Sequence, residues 1–175
     1  GTILVESYDD AIHANSDTLL ETGVYGEGKV TINGGILTLT SSDDGIHADT
    51  VVTIAGGSIS VLTAYEGIEG CRIVVSGGTA TVFATDDGLN ASTGSIASAI
   101  VVSGGILDVT VGTGDTDAID SNGDLTINGG FLVAIGTGAP EGSFDYDDDD
   151  PATAYAFTIS GGTFVGIGGN TAQPT

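Results

Sequence analysis

The chain has 175 residues, with 24 acidic side chains against 2 basic ones and a formal charge of −22 at neutral pH. Nucleic acids and anionic membrane surfaces are excluded as partners, because almost nothing here could neutralise their phosphates. Yet 40% of the residues are hydrophobic, so the chain should fold despite its charge, in one domain spanning residues 1–175.

In chain order, two kinds of segment alternate. Residues 1–5 (GTILV) read as the end of a glycine corner followed by a strand, with Ile3 and Val5 apolar. DDAIHAN follows at residues 9–15. Then come TINGGILTL (31–39), DDGIHAD (43–49), TIAGGSISV (53–61), YEGIEGC (65–71), VVSGGTATV (74–82) and DDGLNAS (86–92). VVSGGILDV (101–109), TDAIDSN (116–122), TINGGFLVA (126–134), GSFDYDD (142–148) and TISGGTFVG (158–166) complete the series. The Gly-Gly pairs start 22, 21, 27, 25 and 32 residues apart. A base period near 22 with variable insertions is that of a solenoid coil whose loops absorb the extra residues.

Aligning the copies on the first glycine produces columns. Two residues before it stand Ile32, Ile54, Val75, Val102, Ile127 and Ile159; three after it stand Leu37, Ile59, Ala80, Leu107, Leu132 and Phe164. Small or hydroxylated residues fall between them. This period-2 pattern predicts strands with one inward face. The glycine pair predicts a corner, where a side chain would clash or φ must be positive. The second segment adds another apolar column at Ile12, Ile46, Ile68, Leu89, Ile119 and Phe144. Three strands per coil therefore predict an all-β fold, a parallel β-helix of triangular section. A sandwich of hairpins would not explain columns that repeat every coil.

Next to that third apolar column, acids recur at one point of the coil. Asp10, Asp44, Glu66, Asp87 and Asp117 precede it; His13, His47, Glu69, Asn90, Asp120 and Asp145 follow it immediately; Asp9, Asp43 and Asp86 add a further carboxylate. Equivalent residues on stacked coils lie about 4.8 Å apart. Two unit charges at that distance repel by about 0.9 kcal/mol even in water. A carboxylate ladder is relieved by a cation, and irregular oxygen donors suit Ca²⁺ better than Mg²⁺. The alternative is a solvated face that keeps the protein soluble. The two histidines, one per coil, argue against a transition-metal site and read as sugar contacts or polar face residues. The run Asp147–Asp150 falls in an insertion, as a solvated loop or a further cation site.

Single residues leave alternatives open. Tyr8 and Tyr65 abut the acidic segments and either stack on sugar rings or close the corner. Lys29 and Arg72 each fall five residues before a Gly-Gly pair, hence in one outward column two coils apart. They read as a surface salt bridge, a sugar-carboxylate contact or, least simply, a catalytic base. Cys71 is expected in the outward column beside Asp49 and Ser92; as the lone cysteine it excludes an internal disulfide and Cys-based metal sites. No stretch reaches the roughly 20 apolar residues of a membrane span. Gly1 in place of Met implies a processed chain or part of a longer one.

DDGIHAD, AYEGIEG, ATDDGLNAS, DAIDSNGDLTINGG and SFDYDD…FTISGGTF resemble the bacterial carbohydrate-binding domain family with a pectate-lyase-like parallel β-helix, known from secreted and cell-surface proteins of plant-cell-wall degraders. The resemblance implies a right-handed helix of three sheets, bound calcium, and affinity for acidic plant cell-wall polysaccharides such as polygalacturonate. It places Asp43, Asp44, Glu66, Glu69, Asp86, Asp87, Asn90, Asp117 and Asp120 on the calcium-facing side, and the column extends this set to Asp145. The late DYDDDD departs from the family pattern, in which a glycine soon follows DYD.

β-Elimination on a uronate needs Ca²⁺ and a base, usually Lys or Arg in the lyases, and neither Lys29 nor Arg72 falls within the acidic strand. The expectation is therefore non-catalytic, Ca²⁺-dependent polysaccharide binding outside a bacterial cell or on its surface, with Tyr8, His13, His47, Tyr65, Lys29 and Arg72 as candidate sugar contacts. The alternative is structural. Both ends look uncapped at matching points of the coil, as expected of a piece of a longer chain or, on the structural reading, of coils that stack head to tail into a filament. An ice-binding face would need more regular threonines than this chain offers.

Overall fold

A computed structural model describes residues 1–16, 27–137, 142–147 and 154–175. They form an all-β solenoid of about five turns, every strand pair parallel, with no helix among the described residues. The strands are β1 (Thr2–Glu6), β2 (His13–Ala14), β3 (Lys29–Thr40), β4 (Ile46–Thr63), β5 (Ile68–Ala84), β6 (Leu89–Ala91), β7 (Ala99–Val111), β8 (Ile119–Ser121), β9 (Asp124–Ile135), β10 (Phe144–Tyr146) and β11 (Phe157–Ile167).

Three ladders run along the axis. One joins β2, the starts of β4 and β5, then β6, β8 and β10, stacking Ile46, Ile68, Leu89, Ile119 and Phe144 in register. The other two lie on either side of the Gly-Gly corner in the long strands. There Ile32, Ile54, Val75, Val102 and Ile127 stack before the corner, and Leu37, Ile59, Ala80, Leu107 and Leu132 after it. The expected register holds from the first residues: Ile3 pairs with Leu37 and Val5 with Leu39, while Gly1 accepts the Ile36 amide. All of these columns are buried except where an end coil leaves a flank open, as at Ile3 and Phe164.

The corner needs both glycines for different reasons. The second adopts a positive φ, +82° at Gly78 and +85° at Gly105. The first lies against the preceding coil: a Cβ on Gly77 would sit 2.6 Å from the Ala55 carbonyl oxygen. Coils can stack at sheet spacing only because that atom is absent.

The structure adds an inward column and departs from the sequence expectation at Cys71. Ala48, Ala91 and Ser121, two residues beyond the third core column, also point inward and are fully buried. Cys71 is buried rather than outward. A register shift between Ala48 and Val51 interrupts the ladder there, and Gly94 of the next coil lies over Sγ, where no side chain would fit. The coil at Phe157 is not left bare: the Ala172 amide donates to the Phe144 carbonyl and the Thr175 amide to that of Phe157, at 2.8 and 2.9 Å. These bonds cover the Phe144 and Phe157 carbonyls alone; β11 pairs only with β9 among the described strands, and its Phe164, Val165 and Ile167 stay exposed.

Candidate functional site

The short-strand ladder carries the acidic face. In each coil the core residue, an isoleucine, a leucine or Phe144, points inward, so the next residue must point outward. His13, His47, Glu69, Asn90, Asp120 and Asp145 consequently pair in one unbroken parallel register. A shallow cleft of about 320 Å³ opens on this face, and Asp10, Asp44, His47, Tyr65, Glu66 and Glu69 are among the residues lining it.

Three groups of carboxylates converge there, each with ligating atoms within 4.8 Å of one another: Asp9–Asp10–Asp43, Asp44–Glu66–Glu69, and Glu66–Asp86–Asp87. Glu66 belongs to two of them. The Asn90 amide donates to Glu66 Oε1 at 2.9 Å. The remaining acceptors of this pair, Glu66 Oε2 and Asn90 Oδ1, are buried without a hydrogen-bond partner. Such orphaned oxygens cost free energy unless something fills their coordination.

The charges respond to this crowding. Burial first, and the Glu69 charge next, push the Glu66 carboxyl up to about 8. Burial raises Asp44 as well, against a hydrogen bond from His47. His47 Nδ1 lies 2.7 Å from both Asp44 Oδ2 and Glu69 Oε2, and these bonds raise the imidazole to about 11. The same contact with His47 holds Glu69 below the usual carboxylate range. The hydroxyl of Tyr65 is held above its ordinary value by its hydrogen bond to Asp86.

Part of the acidic column ties coil to coil. Asp10 Oδ1 accepts the Asp44 amide at 3.0 Å, Asp87 Oδ1 that of Asp117 at 2.8 Å, and Asp117 Oδ1 that of Gly142 at 2.8 Å. A hydrogen bond to a charged acceptor contributes roughly 1.5–3 kcal/mol. The recurrence of acids at this corner thus has a structural cause beside any functional one.

Of the residues expected to hold metal, Asp43, Asp44, Glu66, Glu69, Asp86 and Asp87 fall in the converging groups, with Asn90 attached. Asp117, Asp120 and Asp145 stand further along the same face, outside these groups. Asp148, Asp149 and Asp150 lie outside the described residues. Of the expected sugar contacts, His13, His47 and Tyr65 line the cleft. Tyr8, 93% exposed, is not among the residues that line it. Lys29 and Arg72 share one outward column through Val51, on the sheet before the corner. Lys29 makes a solvent-exposed ion pair with Glu27 at 2.9 Å. The sequence reading left Asp10 and Asp49 out of the ligand set. Both engage the histidines, and the repeated Asp-x-x-His of residues 10–13 and 44–47 was the available signal.

No curated protein and no solved structure matches this chain. Residues 1–113, more than half of it, match the family described as "Carbohydrate-binding domain-containing protein". With a repetitive β-solenoid and a polar cleft along one face, the chain belongs to this carbohydrate-binding domain family.

Proposed function

We propose that the acidic face holds Ca²⁺ and, through it, binds an acidic polysaccharide of the polygalacturonate type without altering it. The observation that carries this reading is the pair of orphaned buried oxygens, Glu66 Oε2 in the Asp44–Glu66–Glu69 group and Asn90 Oδ1 hydrogen-bonded beside it. The donors are all oxygens, as Ca²⁺ prefers, and an ion about 2.4 Å from each can span oxygens up to about 4.8 Å apart. A bound cation ionises Glu66 and offsets the repulsion between Glu66, Asp44 and Glu69. With coordination positions left open, it also reverses the local field, so an anionic chain can approach a protein of charge −22.

Non-catalytic binding is supported by the positions of Lys29 and Arg72. The only two strong bases of the sequence point out from another sheet, away from the cleft where the C5 proton of a uronate would have to be taken. The resemblance to bacterial secreted and surface domains supports an extracellular setting for this activity, where weak Ca²⁺ sites are filled.

Retention on insoluble pectate tests the reading. The chain should be retained with Ca²⁺, released by chelator, and retained again when Ca²⁺ alone is restored. Asp44→Ala with Glu66→Ala should remove retention while the β-rich circular dichroism spectrum persists. Equal retention with and without chelator would refute the calcium bridge and leave recognition to Tyr65 and direct hydrogen bonds.

A further inference from the structure

The two histidines and Asp49 are not needed for an all-oxygen calcium site, yet their geometry is the most fully supported on this face. We propose that His13 Nε2, His47 Nε2 and Asp49 Oδ1 form a separate site for Zn²⁺.

Coil stacking creates the site. His13 and His47 are 34 positions apart in sequence but directly paired in the ladder, with ring centroids 4.6 Å apart. Each ring is anchored at the nitrogen that faces away from the site. His13 Nδ1 meets Asp10 Oδ2 at 2.8 Å; His47 Nδ1 meets Asp44 Oδ2 and Glu69 Oε2, each at 2.7 Å. An Nδ1–H donated to a carboxylate orients the ring and turns Nε2 toward the site, where a bound metal takes the place of any proton on Nε2.

The two Nε2 atoms converge on one oxygen. His47 Nε2 is 3.4 Å and His13 Nε2 3.7 Å from Asp49 Oδ1. All three donor atoms lie within 4.8 Å of one another. Ligands about 2.05 Å from a tetrahedral Zn²⁺ stand about 3.3 Å apart, so small side-chain rotations close the triangle. Asp49 is held for this purpose. Its Oδ2 accepts the Ser16 amide at 2.6 Å and the Ser16 hydroxyl at 3.0 Å, which aims Oδ1 at the imidazoles. Every first ligand therefore has its own anchor, supplied by Asp10, Asp44 with Glu69, and Ser16.

The donor chemistry selects the ion. Two imidazole nitrogens and one carboxylate oxygen suit Zn²⁺ and disfavour Ca²⁺ and Mg²⁺, which take oxygen. The His13 side chain is 41% exposed, so an ion can enter from solvent, and three protein ligands leave a fourth position for water or a sugar hydroxyl. This assigns the histidines to a metal, where the sequence alone assigned them to sugar. A salt-bridged pair on a polar face is the competing account.

The test uses the untagged full chain, stripped of metal and dialysed against Zn²⁺ in excess Ca²⁺. Elemental analysis should find zinc retained at a single equivalent per chain. Co²⁺ in its place should give the intense visible bands of a tetrahedral site. His13→Ala should abolish the cobalt bands and the retained zinc while leaving the Ca²⁺-induced rise in Tm unchanged. Asp10→Asn, which takes the charge from the His13 anchor but keeps an oxygen for the Asp44 amide, should weaken zinc binding roughly 10–100-fold. No retained zinc, zinc displaced by Ca²⁺, or zinc binding indifferent to His13→Ala would each overturn the proposal. His13→Ala touches no carboxylate of the Asp44–Glu66–Glu69 group, so its zinc readout is separable from pectate retention.

Discussion

Replacing Glu66 by glutamine separates the electrostatic cost of the acidic face from its packing. Glutamine keeps the shape and can still accept from the Asn90 amide, but carries no charge. The Glu66 carboxyl titrates near 8 in the fold and near 4.5 when unfolded. A carboxyl whose folded value is raised contributes stability that is complete below 4.5 and is lost as pH rises through 8. At 1.36 kcal/mol per unit the shift sets a ceiling of about 5 kcal/mol. Glu66 is only partly buried, so solvent screening brings the expected effect nearer 2 kcal/mol. For a chain of this size that is a Tm difference of about 4–8 °C. Thermal melts of the metal-free protein in chelator, from pH 4 to 9, would show it. Wild type should lose stability between pH 5 and 8 relative to Glu66→Gln, the two agreeing at pH 4. Added Ca²⁺ should restore wild type at pH 8 and do little for the variant. A variant less stable than wild type at pH 9 in chelator would refute the reasoning, because Glu66 would then be stabilised by its surroundings without an ion.

Three further outcomes follow from the geometry. Gly78→Ala forces a side chain onto a positive φ, with Cβ 2.8 Å from the backbone of Gly56, and should cost more than about 2 kcal/mol in chemical denaturation. Ile68→Ala opens a cavity beneath the acidic ladder at a fully buried position; it should cost about 2–5 kcal/mol and weaken Ca²⁺ binding through the displaced Glu66 and Glu69, as calorimetry would read. Lys29→Ala loses only an exposed ion pair, so Tm should move by no more than a degree or two, and ultraviolet assays with polygalacturonate should show no eliminase activity before or after the change.

The fold was legible because its signal is redundant. Each core position is written six times, and every copy votes on the register, so even Ile3 against Leu37 could be placed from one glycine. The acidic face was legible for the same reason. What escaped was carried by residues without a repeating hydropathy signal. Ala48, Ala91 and Ser121 line the core, but small residues read equally well as outward or inward. Cys71 was placed by counting along a strand that a register shift interrupts. The pairing of His13 with His47 was hidden because the histidines were counted per coil, whereas the ladder assembles side chains across coils.

That last difference is general to solenoids. One coil presents each column with a single side chain, so no coil can hold an ion alone. Stacking at about 4.8 Å brings successive members of a column to the separation at which two ligands share one cation. The same spacing makes like charges repel. An acidic column therefore costs stability in the empty state and returns it on binding, and bound ions clamp coil to coil along the axis. In this chain the repulsion is already partly discharged without an ion. Asp10, Asp87 and Asp117 each spend one oxygen on the next coil's backbone, and Asp44 and Glu69 share the His47 proton. Glu66 has only the Asn90 amide, on one oxygen, and keeps the other buried and unmatched. Under the calcium reading a cation gains most at such a buried, half-matched carboxylate, so binding would concentrate at Glu66 rather than spread evenly over every acid in the column.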